Sequence, residues 1–148
     1  MSLQRHEHWA TRSLTPFLLA RRDTPFAWGT NDCCLFPADA IEAMTGVDIA
    51  SDFRGKYATE AQAWALVHTV TGGSTVADAA AWCARAYGLT EWTYPLCAQR
   101  GDLVVFANEG RLLAGIVHLS GRHLLSVAAD GLVKFAITRS MLQRAWTV

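Results

Sequence analysis

The chain has 148 residues, with 13 Lys plus Arg against 13 Asp plus Glu, so its formal net charge is zero. That length fits one domain, taken as residues 1–148, able to bury roughly 70% of its unfolded surface without disulfide or metal support. At 51% hydrophobic and 18% charged residues the chain is not disordered. It lacks the basic excess of a nucleic-acid binder, and its apolar runs fall far short of the roughly 18 residues of a membrane span.

In chain order, Met1 to Trp9 is polar and His-rich, without the apolar stretch of a secretion signal, so synthesis in a cytoplasm without the usual export route is expected. A helical turn around His8–Ser13 precedes a helix that Thr15 caps and Pro16 opens, running to Arg21-Arg22 and stopped by Asp23-Thr24-Pro25. The next helix is expected from about Asp32 to Met44, capped by Asn31 or Asp32 and stopped at Thr45-Gly46. Its apolar stripe is 33, 37, 40, 41 and 44, and Pro37 predicts an irregular first turn. Thr59-x-x-Gln62 reads as a capping box for a third helix ended by Gly72-Gly73, and a fourth runs from about Thr75 to Tyr87 with Gly88 at its end.

From Gly101 the period changes to two. Strands are expected at Asp102–Ala107, Leu112–Leu119, His123–Ala128 and Leu132–Thr138, with turns at Asn108-Glu109-Gly110, Ser120-Gly121-Arg122 and Asp130-Gly131. A helical turn at Ser140–Arg144 and an apolar tail complete the chain. Helices followed by an antiparallel meander predict an α+β fold.

Four cysteines, Cys33, Cys34, Cys83 and Cys97, are expected as reduced thiols. No C-x-x-C pair occurs, and adjacent Cys33 and Cys34 are poor joint ligands, so neither metal nor cofactor is implied. Cys83 and Cys97 read as small buried hydrophobes. Cys33 is the candidate nucleophile, because a helix N-terminus favours an anion and lowers a thiol's pKa. The adjacent Asp32, used as the helix cap, works against that lowering. The alternative is a buried cysteine packing the helix against the sheet.

Phe26-Ala27-Trp28-Gly29, Asn31-Asp32-Cys33, Gln99-Arg100-Gly101-Asp102-Leu103 and Ala114-Gly115-Ile116-Val117 resemble the landmarks of the NlpC-type, papain-like cell-wall cysteine peptidases. Adding Thr45-Gly46-x-Asp48, Phe53-Arg54-Gly55-Lys56-Tyr57, Asp130-Gly131-Leu132 and the closing Ala-Trp-x-Val, nearly the whole chain resembles a small family from tailed phages and prophages. The resemblance implies a papain-like NlpC-type fold, with N-terminal helices packed on a C-terminal antiparallel meander. It also implies residence in a virion tail among other tail proteins, at the hub or tail tip, and contact with peptidoglycan.

The pattern departs from those peptidases where catalysis is concerned. The base position falls on Leu113, the orienting position on Leu125, and the usual tyrosine before the tryptophan on Phe26. A thiol without a base is a weak catalyst, since base assistance is typically worth about 10²–10⁴ in rate. Two histidines are candidate substitutes. His123 shares the parity of Leu125 and is expected to point toward the Cys33 helix. His118, five residues past Leu113, is expected on the opposite face. The structural alternative for both is a hairpin-edge histidine.

Trp28, Asn31, Arg54 and Tyr57 are candidate binding residues. For Arg54 and its neighbours the alternative is a turn with a positive φ at Gly55 and Arg54 paired to a carboxylate. Trp92 and Tyr94, near Pro95, are expected as exposed aromatics for a protein interface. Two functions follow. One is a tail-tip or tail-assembly protein with an NlpC-like fold and a degenerate dyad. The other is an active cysteine hydrolase cutting peptidoglycan stem peptides during infection, with Cys33 as nucleophile and His123 or His118 as base. Zero net charge gives no pull toward an acidic wall polymer, which favours the first.

Overall fold

The computed structural model describes residues 3–148. A π-helical turn, Trp9–Leu14, runs straight into α1 (Thr15–Arg21). The helix therefore does not begin at a Thr15 cap as expected. Thr15 is already helical, and its hydroxyl donates back to the Ala10 carbonyl. The other helices are α2 (Leu35–Thr45), α3 (Glu60–Thr71) and α4 (Val76–Ala86). Thr59 accepts from the Gln62 N–H at the start of α3, and Thr75 forms a reciprocal capping box with Asp78 at the start of α4.

The sheet has six strands: β1 (Thr90–Glu91), β2 (Leu103–Asn108), β3 (Arg111–Val117), β4 (His123–Ala128), β5 (Gly131–Ala136) and β6 (Leu142–Thr147). Their spatial order is β1-β6-β2-β3-β4-β5, antiparallel throughout. The fold is α+β, with β2 to β5 forming the expected meander. The β2–β3 hairpin turns on Glu109 (φ 51) and Gly110 (φ 77), the two left-handed residues a two-residue type I′ loop requires.

The C-terminal segment corrects the sequence reading, for Ser140–Arg144 is no helical turn. The chain from Leu142 is β6, paired with β2. Phe106 pairs with Leu142 but Val105 with Arg144, so Gln143 is an extra, bulged residue. The bulge puts Leu142 and Ala145 on the same face at a spacing of three, which mimics a helical period.

Both faces of the sheet are buried, so Leu103–Phe106 is apolar at every position rather than alternating. On one face Leu103, Val105, Ala114, Ile116 and Leu125 pack beneath α2 and α4. On the other, Val104, Phe106, Val117, Leu124, Leu142 and Ala145 form a second core, with Trp92, Leu113 and Phe135 against it. The sheet-facing side of α2 and the β3 residues Ala114–Val117 beneath it are buried. Complete burial of a side chain such as Phe36 or Phe106 contributes about 1.5–3 kcal/mol.

Buried Asp102 fastens the two ends of the chain to this core. It accepts from Arg5, the Trp92 indole, the Gln99 N–H and the Val148 N–H. Trp92 is thereby held partly buried, which corrects its expected exposure, whereas Tyr94 is 72% exposed. Cys97 is exposed as well, against the expectation that it is buried.

Candidate functional site

Asp32 organises the start of α2. Its side chain is fully buried, and one oxygen accepts from the N–H groups of Cys34 and Leu35. The other accepts from the Gly29 N–H and the Tyr57 hydroxyl. Gly29 lies at φ +82, and a Cβ there would stand 2.2 Å from the Tyr57 carbonyl oxygen, so only glycine lets the two loops meet. With the cap held this way the regular helix begins at Leu35, three residues after the expected Asp32. Cys33 and Cys34 lie in the turn between the cap and the helix. Burial, and then hydrogen bonding to Asp32, push the Tyr57 phenol well above its ordinary pKa.

Cys33 is buried at 6% exposure. The adjacent Cys34 thiol draws the Cys33 pKa down; burial and the Asp32 charge oppose the fall, and the Ala114 backbone aids it. The proximity of Cys33, with burial, pushes Cys34 up. Cys34 and Cys83 line a small apolar cavity of about 30 Å³ between α2, α4 and the sheet. Burial lifts the Cys83 thiol to about 12. Among the described residues, no group of three or more His, Cys, Asp or Glu side chains is placed to hold a metal ion.

The strand facing Cys33 contributes Ala114, not Leu113. Ala114 and Ile116 lie on the helix face, while Leu113 packs on the second core. This inverts the expected parity of β3. His118 shares the parity of Ala114 and stands on the helix face, not the opposite one, lining a groove with Leu125. His123 faces the same way, as expected. Both imidazoles nevertheless sit at the β3–β4 turn. His118 accepts from the Ser120 N–H at 3.0 Å, and His123 meets the Ser120 hydroxyl at 3.0 Å. His118 lies four residues along the chain from Ala114, about 13 Å at 3.3 Å per residue, and its N–H bonds the His123 carbonyl, which puts both at that level. Among the described residues neither histidine hydrogen-bonds a cysteine sulfur. Burial, Lys134 and His123 lower the His118 pKa. Leu125 is buried on the helix face.

The candidate binding residues are engaged within the fold. Asn31 accepts from Arg21 and donates to the carbonyls of Thr24 and Pro25. Arg54 binds Asp48 through two nitrogens and Asp39 through one, and Arg21 also reaches Asp39. The Arg54 hydrogen bonds hold the Asp48 carboxyl below the usual carboxylate range. Gly55 has φ 75, so this segment is the turn of the alternative reading. Trp28 stacks edge-on with Phe26 and Trp64 and lines an open groove with Leu113 and Glu60. The parity of Ala114 is the feature that sequence reasoning missed. No alternation marks it, since Ile116 and Val117 are both apolar and both buried.

These features define an α+β domain with a capped, buried thiol at the helix–sheet seam and an imidazole pair about four residues further along β3. Residues 4–148 match a family model described as a domain of unknown function, DUF6950, and the chain belongs to that family. No curated protein and no solved structure matches the chain. No helix is long and apolar enough to cross a membrane among the described residues.

Proposed function

We propose that this protein is a catalytically silent NlpC-type, papain-like domain that serves as a structural component of a phage or prophage tail, at the hub or tip. The observation that carries this reading is the face opposite Cys33. The thiol stands at the start of α2 against β3, where a papain-like nucleophile is expected, yet the residue across the seam is Ala114 and the orienting position is the buried Leu125. Acyl transfer from an amide needs a base for the thiol and an acid for the leaving amine. Alanine and leucine supply neither, and the imidazoles are tied to Ser120 at the far end of the strands. What remains is a rigid packing module whose targeting comes from the assembly it joins.

Two measurements test this. Purified peptidoglycan incubated with the wild type and with Cys33→Ala is expected to release no stem-peptide fragments in either case. Release by the wild type that Cys33→Ala abolishes would establish the active hydrolase instead. Mass spectrometry of purified tail particles from the encoding phage or prophage is expected to find the chain in fixed stoichiometry. Its absence from intact particles would remove the structural role.

A further inference from the structure

The helix face of the sheet carries an open groove of about 410 Å³ between α1 and β5, within the usual size of a ligand site. Its floor is Leu119, Leu125 and Leu132, and Leu19 of α1, 64% exposed, stands at its side. The rim carries Arg22, His118 and Lys134, and no carboxylate lines it. Lys134 makes no ion pair among the described residues, and Arg22 reaches only the exposed Asp23 at 3.2 Å. An apolar floor under a rim of basic groups is complementary to an apolar segment that carries negative charge.

The strand bordering this groove is also an open sheet edge. β5 is the last strand on its side, paired only with β4. The Leu132 N–H points away from β4 and donates to the Arg22 carbonyl, while the Ile137 N–H turns inward to Arg122. By alternation, the backbone groups of Lys134 and Ala136 also point outward. Both residues are exposed, and their outward N–H and C=O groups have no backbone partner among the described residues. At the opposite edge β1 has two residues and is clasped to β6 by the Glu91–Arg144 pair.

We infer that the β5 edge and its groove form a docking site for an extended acidic–apolar segment of a partner protein, added as a seventh strand. Its backbone pairs with Lys134 and Ala136, a leucine-type side chain enters the Leu119–Leu125–Leu132 floor, and a carboxylate two residues away meets Lys134 or Arg22. Strand addition draws affinity from backbone hydrogen bonds and specificity from alternate side chains, which is the division of labour this edge provides. The inference is independent of whether Cys33 is catalytic.

The test is fluorescence anisotropy of the full chain with a dye-labelled peptide, Ser-Thr-Leu-Thr-Glu-Thr-Leu-Thr-Ser. Saturable binding is expected. It should weaken at least about tenfold when lysine replaces the glutamate, when alanine replaces both leucines, or when alternate backbone nitrogens are methylated. Lys134→Glu, an exposed change that spares the core, should reverse the preference between the glutamate and lysine peptides. Absence of saturable binding, a preference unmoved by Lys134→Glu, or equal binding of the methylated peptide would each overturn the proposal. So would self-association in sedimentation velocity that Lys134→Glu abolishes, because a second copy would then be the occupant.

Discussion

Two regions of this molecule hold, respectively, a buried thiol and two imidazoles, and the fold keeps them apart. The seam between α2 and β3 holds a thiol whose pKa its neighbour Cys34 draws down, facing Ala114. The β3–β4 turn holds two imidazoles bonded to Ser120. Both lie on the same face of one sheet, so facing the same way is not enough. A base must also lie at the same level along the strand, within hydrogen-bond reach of the sulfur. A thiol and two imidazoles are present, and the strand register separates them.

The largest effect is expected from removing the device that builds the seam. Asp32→Ala strips the acceptor from three N–H groups and the Tyr57 hydroxyl, and should cost about 3–5 kcal/mol in urea unfolding. Asp32→Asn keeps one carbonyl oxygen for the Cys34 and Leu35 N–H groups and should cost roughly half as much. A loss below about 1 kcal/mol for the alanine variant would show that the cap does not hold the seam together.

The second prediction sharpens the comparison at the thiol itself. In limited alkylation at neutral pH followed by peptide mapping, exposed Cys97 should react first. Cys83 should trail by on the order of 100-fold, being buried and with a pKa pushed to about 12. Cys33 should lag similarly through burial, despite its lowered pKa. Rapid labelling of Cys33 would mean that the seam opens to admit reagents and would weaken the silent-domain reading.

A smaller effect is expected at the loop brace. Arg54→Met leaves Asp48 with only the Ala50 N–H and Asp39 with Arg21 alone, for a loss of about 1–3 kcal/mol. The pH dependence has a definite sign. The Asp48 pKa is lowered in the folded state, so its contribution is complete above the ordinary carboxylate range and fades as pH falls through that range toward the lowered folded value. The stability gap between wild type and Arg54→Met should therefore narrow in acid. A gap constant from neutral pH into that acid range would remove the ion pairs as its cause.

The smallest effect belongs to the imidazoles. His118→Ala combined with His123→Ala should change stability by no more than about 0.5 kcal/mol, because both rings bond only at a partly exposed turn. It should leave the labelling rate of Cys33 unchanged. A slower Cys33 in the double variant would show that the two regions communicate after all.

Local sequence signals located most of the elements. The Thr59 and Thr75 caps, the glycine stops, the turn at Asn108-Glu109-Gly110 and all of β4 follow from side-chain chemistry within a few residues. The segment from Leu142 does not read as a strand because the bulge at Gln143 breaks the period of two, and a bulge is defined by the partner strand. The start of α2 was placed three residues early because Asp32 bonds forward to Cys34 and Leu35 while its other oxygen is held by Tyr57, 25 residues away. The Asp32 cap and the Arg54 turn were legible as local chemistry. The side of β3 that faces Cys33 was not, since the strand is apolar on both faces and Leu113 and Ala114 are indistinguishable by alternation.

The sequence by itself determined an α+β fold class and a capped helix start carrying a thiol. Only the tertiary structure decided that Ala114 faces that thiol, that both histidines share its face yet lie about four residues further along β3, and that β5 ends the sheet beside a groove with a basic rim. The reason is physical. Caps and turns are set by neighbours along the chain, whereas strand register and sheet order are set by which buried faces meet.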